Sequence, residues 1–279
     1  MNSSNPTPGL YQRDYLFGAL FGISVLGALY MVSTHNYLVF HTLAEFISIA
    51  VAWSLFLIFW NTRKILENKP LILLGIAYLF IGFIDLMHTL SYKGMGVLYP
   101  ETGANPATQL WILARYMECL TLCAFASMRI KEVNTGRTIL FFSAVTSLGL
   151  LSIFYWKNFP VCYLDGVGLT KFKIISEYLI CACLILALWL LKIKKKFLDE
   201  VVYRSMITAV VLTMFAELAF TFYVSVYDLS NLLGHYFKLL SFYFVYRALI
   251  WSGLSHPYTT LFCNMEKEKE LLKVSDAPD

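Results

Sequence analysis

The chain has 279 residues, of which 58% are hydrophobic, 16% aromatic and only 14% charged. That balance excludes a water-soluble domain of ordinary composition and fits an all-α polytopic membrane protein. The net charge of +4 comes from basic residues gathered in particular connections, so it sets orientation in a bilayer and does not mark nucleic-acid binding.

Runs of about 20 apolar residues, enough to cross ~30 Å of hydrocarbon at 1.5 Å per residue, predict eight spans. They fall at about 13–32, 38–60, 71–90, 108–128, 138–156, 172–192, 204–226 and 233–253. The first follows Arg13 but is too long for a cleaved signal peptide and counts as a span. It carries Gly18 and Gly22, a small-residue pair expected to serve close packing within the chain rather than a dimer seam. Basic residues then cluster: Arg63, Lys64 and Lys69 in the second connection, Arg129, Lys131 and Arg137 in the fourth, Lys192, Lys194, Lys195, Lys196 and Arg204 in the sixth. The first and seventh connections have none, the third only Lys93, and the fifth Lys157 and Lys171. Positive residues stay inside, so both termini are expected in the cytoplasm.

The third connection, 91–107, contains Gly94, Gly96, Pro100, Gly103 and Pro106 and is expected to form a structured cap or a plain outer connector. The six cysteines form no framework, because Cys119, Cys123, Cys181 and Cys183 lie in apolar runs, Cys263 in the tail, and only Cys162 outside. One faint repeat occurs: Phe83-x-Asp85-Leu86-x-x-Thr89 in the third span is echoed by Phe215-x-Glu217-Leu218-x-x-Thr221 in the seventh. A duplication of four plus four helices would produce it. After Gly253 and Pro257, which end the last span, residues 266–273 read as a short solvated helix. The expected organisation is a cytoplasmic tail at 1–12, an eight-helix membrane domain at 13–253, and a cytoplasmic connector at 254–279 that stops before any output domain.

Ionisable residues inside the apolar runs fall at one depth, near the outer surface. His41 and Glu45 lie in the second span, Asp85 and His88 in the third, Arg115 and Glu118 in the fourth, Glu177 in the sixth, and His235 and Lys238 in the eighth; Glu217 is nearer the midplane. A charge at the bilayer centre costs roughly 2.5–3.5 kcal/mol on the insertion scale, so these groups are expected to face the bundle interior and pair there. Arg115 with Glu118, and Lys238 with Glu177 or Asp85, are the natural pairings. The set fits either a ligand or ion pocket open to the outer side, or an ion-pair network that fixes helix register. His41, His88 and His235, oriented by Glu45 and Asp85, also have the residue types of a metal or haem site. Trp60, Trp111, Trp156 and Trp251 fall near span ends, as an aromatic belt requires.

The sequence also carries a resemblance. Residues 40–46 (FHTLAEF), 60–63 (WNTR), 83–96 (FIDLMHTLSYKGMG), 104–112 (ANPATQLWI) and 114–116 (ARY), with 242–250 (FYFVYRALI) and Pro257-Tyr258, resemble the third class of bacterial membrane-associated sensor domains. The resemblance implies an integral sensor of the bacterial inner membrane, placed before cytoplasmic histidine kinase, PAS, diguanylate cyclase or phosphodiesterase modules and acting as a homodimer in a lipid environment. The polar site then falls on the family's motif residues His41, Glu45, Asp85, His88, Lys93, Arg115 and Glu118. The rival reading is an intramembrane metal-dependent hydrolase, with histidines on zinc and a carboxylate as general base. No kinase or cyclase motif occurs in these residues.

Overall fold

The computed structural model describes residues 8–64, 69–98, 103–127, 133–221 and 228–250. They form eight α-helices: α1 Pro8–His35, α2 Tyr37–Thr62, α3 Pro70–Leu90, α4 Asn105–Ser127, α5 Thr135–Leu150, α6 Lys171–Lys194, α7 Glu200–Thr221 and α8 Leu229–Ile250. A π-turn, Leu151–Tyr155, extends α5, and a 3₁₀ turn, Lys195–Phe197, extends α6. Helix starts follow local chemistry. Asn36, Asn134 and Thr170 accept the backbone N–H three residues on, and Pro70 opens α3 where its missing N–H costs nothing. Six helices, α2 to α7 with their extensions, are long and apolar enough to cross a membrane. The chain is therefore a multi-pass helical membrane bundle. α1 begins at Pro8, within the expected tail at 1–12; residues 1–7 and the connector at 254–279 lie outside the described residues.

Six helices close a ring in the order α2, α3, α4, α6, α7, α8 and back to α2, while α1 leans on α2 and α5 on α3 from outside. This ring repeats after its third helix: the contact of α4 with α6 corresponds to that of α8 with α2. The repeated motif obeys the same rule. Thr89 Oγ1 donates to the carbonyl of Asp85 at 2.8 Å and Thr221 Oγ1 to that of Glu217 at 2.9 Å, both acids are fully buried, and Phe83 and Phe215 face outward. The correspondence ends at the peripheral helices, since α5 docks on α3 rather than α6.

The ring is filled by Leu55, Phe59, Leu71, Leu74, Tyr78, Phe125 and Phe242. Gly75 gives room to the Phe59 ring and Gly234 to the Phe220 ring, so α3 meets α2 and α8 meets α7 closely. Gly18 and Gly22 do not serve the intramolecular packing expected of them: a methyl at either would meet no described atom within 4 Å.

The basic connections lie at one end of the bundle and a two-piece cap at the other. Residues 91–98 and 103–104 contribute one piece, with Ser91, Tyr92 and Ala104 buried. The other is a hairpin, β1 Tyr163–Leu164 paired with β2 Gly168–Leu169, turned through Gly166 at φ 81° with Gly168 at φ 102°. Asn105 Oδ1 accepts the N–H groups of Cys162 and Tyr163, and Gln109 Nε2 donates to the carbonyls of Phe159 and Pro160. These bonds fasten the hairpin to the start of α4. Burial pushes the Cys162 thiol up to about 12.

Candidate functional site

The ends of α3 and α7 and the starts of α2, α4, α6 and α8 meet beneath the cap, and there the buried ionisable residues converge. Arg115 is the centre. Its Nη2 donates to both oxygens of Asp85, at 2.8 and 2.9 Å, and its Nη1 to Glu118 Oε2 at 2.5 Å. Tyr78 OH donates to the other Glu118 oxygen at 2.9 Å, so α3 and α4 are bound twice. Lys238 of α8 then reaches across the ring, with Nζ 2.6 Å from Glu45 Oε2 and 3.0 Å from Asp85 Oδ2. One ammonium therefore joins α8 to α2 and α3. The indole of Trp111 lies beneath both cations, 4.7 Å from the Arg115 guanidinium and 4.9 Å from Lys238 Nζ. All five charged groups and Trp111 are buried.

The imidazoles form the outer layer. His88 Nδ1 lies 2.8 Å from the Ala107 carbonyl, and His88 Nε2 is 3.3 Å from His41 Nε2. The His41 ring stacks on Tyr92 of the cap with centroids 3.6 Å apart. His235 Nδ1 stands 3.1 Å from Glu45 Oε1, off the line of a hydrogen bond. Asn231 Nδ2 donates to Tyr92 OH at 3.2 Å, which ties α8 to the cap as well. Beside these rings is a cavity of about 30 Å³ lined by His88, Tyr92, Trp111, Lys173, Asn231 and His235. It has room for one or two waters and none for a porphyrin, so the haem expectation finds no space in it.

Of the residues singled out in the sequence, His41, Glu45, Asp85, His88, Arg115, Glu118, His235 and Lys238 come together here. Lys93 does not. It sits on the exposed cap and pairs with Asp165 of the hairpin at 2.8 Å, because the end of α3 carries it beyond the buried layer. The expected pair of Arg115 with Glu118 forms, and Lys238 takes Asp85 rather than Glu177. Glu177 instead pairs with Lys173 one turn earlier on α6. Among the described residues, the metal-competent group whose ligand atoms all lie within 4.8 Å of one another is His41, Glu45 and His88. His235, expected as the third ligand, lies with Nδ1 3.1 Å from Glu45 Oε1 and its ring centroid 4.7 Å from that of His41.

Sequence reasoning missed three participants. Lys173 is fully buried, and its spacing of four from Glu177 was the available signal. Tyr78 lies two helical turns before Asp85 and so shares its face of α3. Trp111 was placed in the interfacial belt but is 4% exposed and donates to Glu217 Oε2 at 3.3 Å; its position four residues before Arg115 put it on the same helix face. Trp60 and Trp156 are exposed, while Trp251 lies outside the described residues, as do Arg129, Lys131, Gly253, Pro257 and Cys263.

A family model described as membrane-associated sensor domain, MASE3, matches residues 32–257. No curated protein and no solved structure matches the chain.

Proposed function

The chain belongs to the membrane-associated sensor domain family, a sensory rather than catalytic class with an input role in signal transduction, and from that premise we propose how it works. It is the input module of a bacterial inner-membrane histidine kinase or cyclic-di-GMP system, dimeric, with both termini in the cytoplasm. It receives its signal at the cluster of His41, Glu45, Asp85, His88, Arg115, Glu118, His235 and Lys238. The observation that carries this reading is the Lys238 bridge to Glu45 and Asp85. α8 leads toward the connector at 254–279, so any ligand that changes the balance between those two carboxylates shifts the helix nearest the output. Such a ligand must prefer one packing of α8 over the other. The basic end of the bundle faces the cytoplasm by the positive-inside rule, which puts the cap and cluster on the outer side.

The hydrolase rival needs an unengaged carboxylate beside the imidazoles as general base. Asp85 is held by Arg115 and Lys238 and does not supply it, and Glu45, the other acid beside the imidazoles, is held by Lys238 through one of its oxygens.

Residues 1–279 fused to a heterologous diguanylate cyclase or kinase, expressed in a bacterial inner membrane, test the sensory reading. Lys238→Met is expected to move basal output away from the parent at equal membrane abundance. Output indifferent to Lys238→Met and to Glu45→Gln would sink it.

A further inference from the structure

We propose that His41, His88 and Glu45 bind one divalent transition-metal ion of the zinc class through His41 Nε2, His88 Nε2 and Glu45 Oε1. The inference deepens the sensory reading by naming the ligand of that same cluster, and it rests on four independent features of the geometry.

The first is the tautomer of His88. A carbonyl oxygen only accepts, so the 2.8 Å contact with Ala107 puts the ring proton on Nδ1 and leaves a lone pair on Nε2 of the neutral ring. Metal-bound histidines are held in this way, with the second nitrogen donating to a backbone carbonyl or carboxylate. The second is spacing. Two nitrogens bound at about 2.0–2.1 Å to a tetrahedral ion lie about 3.3–3.4 Å apart, and His41 Nε2 and His88 Nε2 are 3.3 Å apart. As a hydrogen bond between rings that distance is long. His41 Nδ1 has no hydrogen-bond partner among the described residues, so all of that ring's polar capacity is directed at His88.

The third is the divided use of Glu45. Its Oε2 is taken by Lys238, whereas Oε1 is buried, accepts no hydrogen bond, and belongs to the residue that completes the three-ligand group. His235 Nδ1, 3.1 Å from Oε1, is placed as the orienting neighbour of that carboxylate rather than as a ligand. The fourth is charge. In the cluster and its α6–α7 side, Glu45, Asp85, Glu118, Glu177 and Glu217 are opposed only by Arg115, Lys173 and Lys238, all within the protein interior. Five carboxyl groups against three cations leave two carboxyls without a cation of their own, so the site must gain positive charge, as protons or as a bound cation. A divalent ion supplies it in one step. Two imidazoles and one carboxylate suit zinc-class ions and leave a coordination position open.

The test is made on the full chain in detergent or nanodiscs, stripped with a chelator and titrated with Zn²⁺ against a chromophoric competitor, then with Co²⁺ followed by visible absorption. One Zn²⁺ per chain and an intense four-coordinate Co²⁺ spectrum are expected. His41→Phe keeps the ring stacked on Tyr92 and removes only the nitrogen; it is expected to weaken Zn²⁺ by about tenfold or more and to abolish the Co²⁺ bands. A parent chain that takes up no stoichiometric Zn²⁺, or a Co²⁺ spectrum unchanged in His41→Phe, overturns the proposal. The reporter fusion separates this failure from that of the sensory reading. Output that answers to Lys238→Met while Zn²⁺ does not bind removes the metal alone, and stoichiometric Zn²⁺ with indifferent output keeps the metal and removes the sensing.

Discussion

Asp85 on α3 and Glu217 on α7 occupy equivalent places in a repeated motif, yet their surroundings are opposite. Asp85 is held by Arg115, whose Nη2 reaches both of its oxygens, and by Lys238, so each oxygen has a cationic partner. Glu217 has only the indole N–H of Trp111 on one oxygen, and its Oε1 accepts no hydrogen bond among the described residues. Both are fully buried. The difference teaches that burial depth and motif do not decide whether an acid locks helices together; the partner helix does. α4 presents Arg115 to Asp85, whereas α8, the corresponding helix of the second half, sends its cation Lys238 across the ring to the first half.

The largest test of that contrast is Arg115→Met. It leaves Asp85 and Glu118 buried without their main partner, and removing one side of a buried ion pair costs about 3–5 kcal/mol. The variant is expected to lose its monodisperse peak in detergent or to melt well below the parent. Next, Asp85→Asn and Glu217→Gln compare the two acids directly. The first should cost about 3 kcal/mol or more, because two cations lose their shared carboxylate; the second should stay within about 1 kcal/mol, since the amide oxygen still accepts from Trp111. Equal drops in melting temperature would erase the distinction. On α6 it is the double change that should be small: Lys173→Met alone strands Glu177, whereas Lys173→Met with Glu177→Leu should recover most of the loss, a coupling read from a double-mutant cycle. The smallest effect concerns the cap above Asp85. Cys162 is buried and its thiol resists ionisation, so a maleimide at pH 7.5 should label it only after denaturation. Fast labelling of Cys162 in a native chain that keeps it as the sole cysteine would mean that the cap stands open.

The helices were legible because a bilayer imposes length and apolarity on them: a helix stands where each of the eight spans was expected, and six of the eight are, over their described residues, long and apolar enough to cross a membrane. The depth of the polar cluster was legible for the same reason: His41, Asp85, Arg115 and Lys238 stood out against apolar surroundings. Their pairing was not. Whether Lys238 meets Glu45, Asp85 or Glu177 depends on which helices are neighbours in the ring, and hydropathy carries no such information. Trp111 was misplaced because an indole near a span end satisfies an interface and a cation cluster equally well. Lys173 escaped notice because a lysine at the start of a span can snorkel to water. The hairpin at 163–169 left a visible trace, Asp165-Gly166, which the charge count of that connection passed over.

The Lys238 bridge also bears on how the protein is made. Lys238 follows Glu45 by 193 residues, and α8 carries that lysine into the bundle, where a charge at the bilayer centre costs roughly 2.5–3.5 kcal/mol on the insertion scale. Its insertion is therefore expected to depend on α2 and α3 being in place already, with two waiting carboxylates to neutralise the ammonium as it leaves water. Synthesis order becomes part of the design: α8 enters as a guest of α2 and α3. A topology reporter fused behind Ile250 should change sides when Glu45→Gln and Asp85→Asn are combined, and a reporter that stays put would show that α8 inserts on its own.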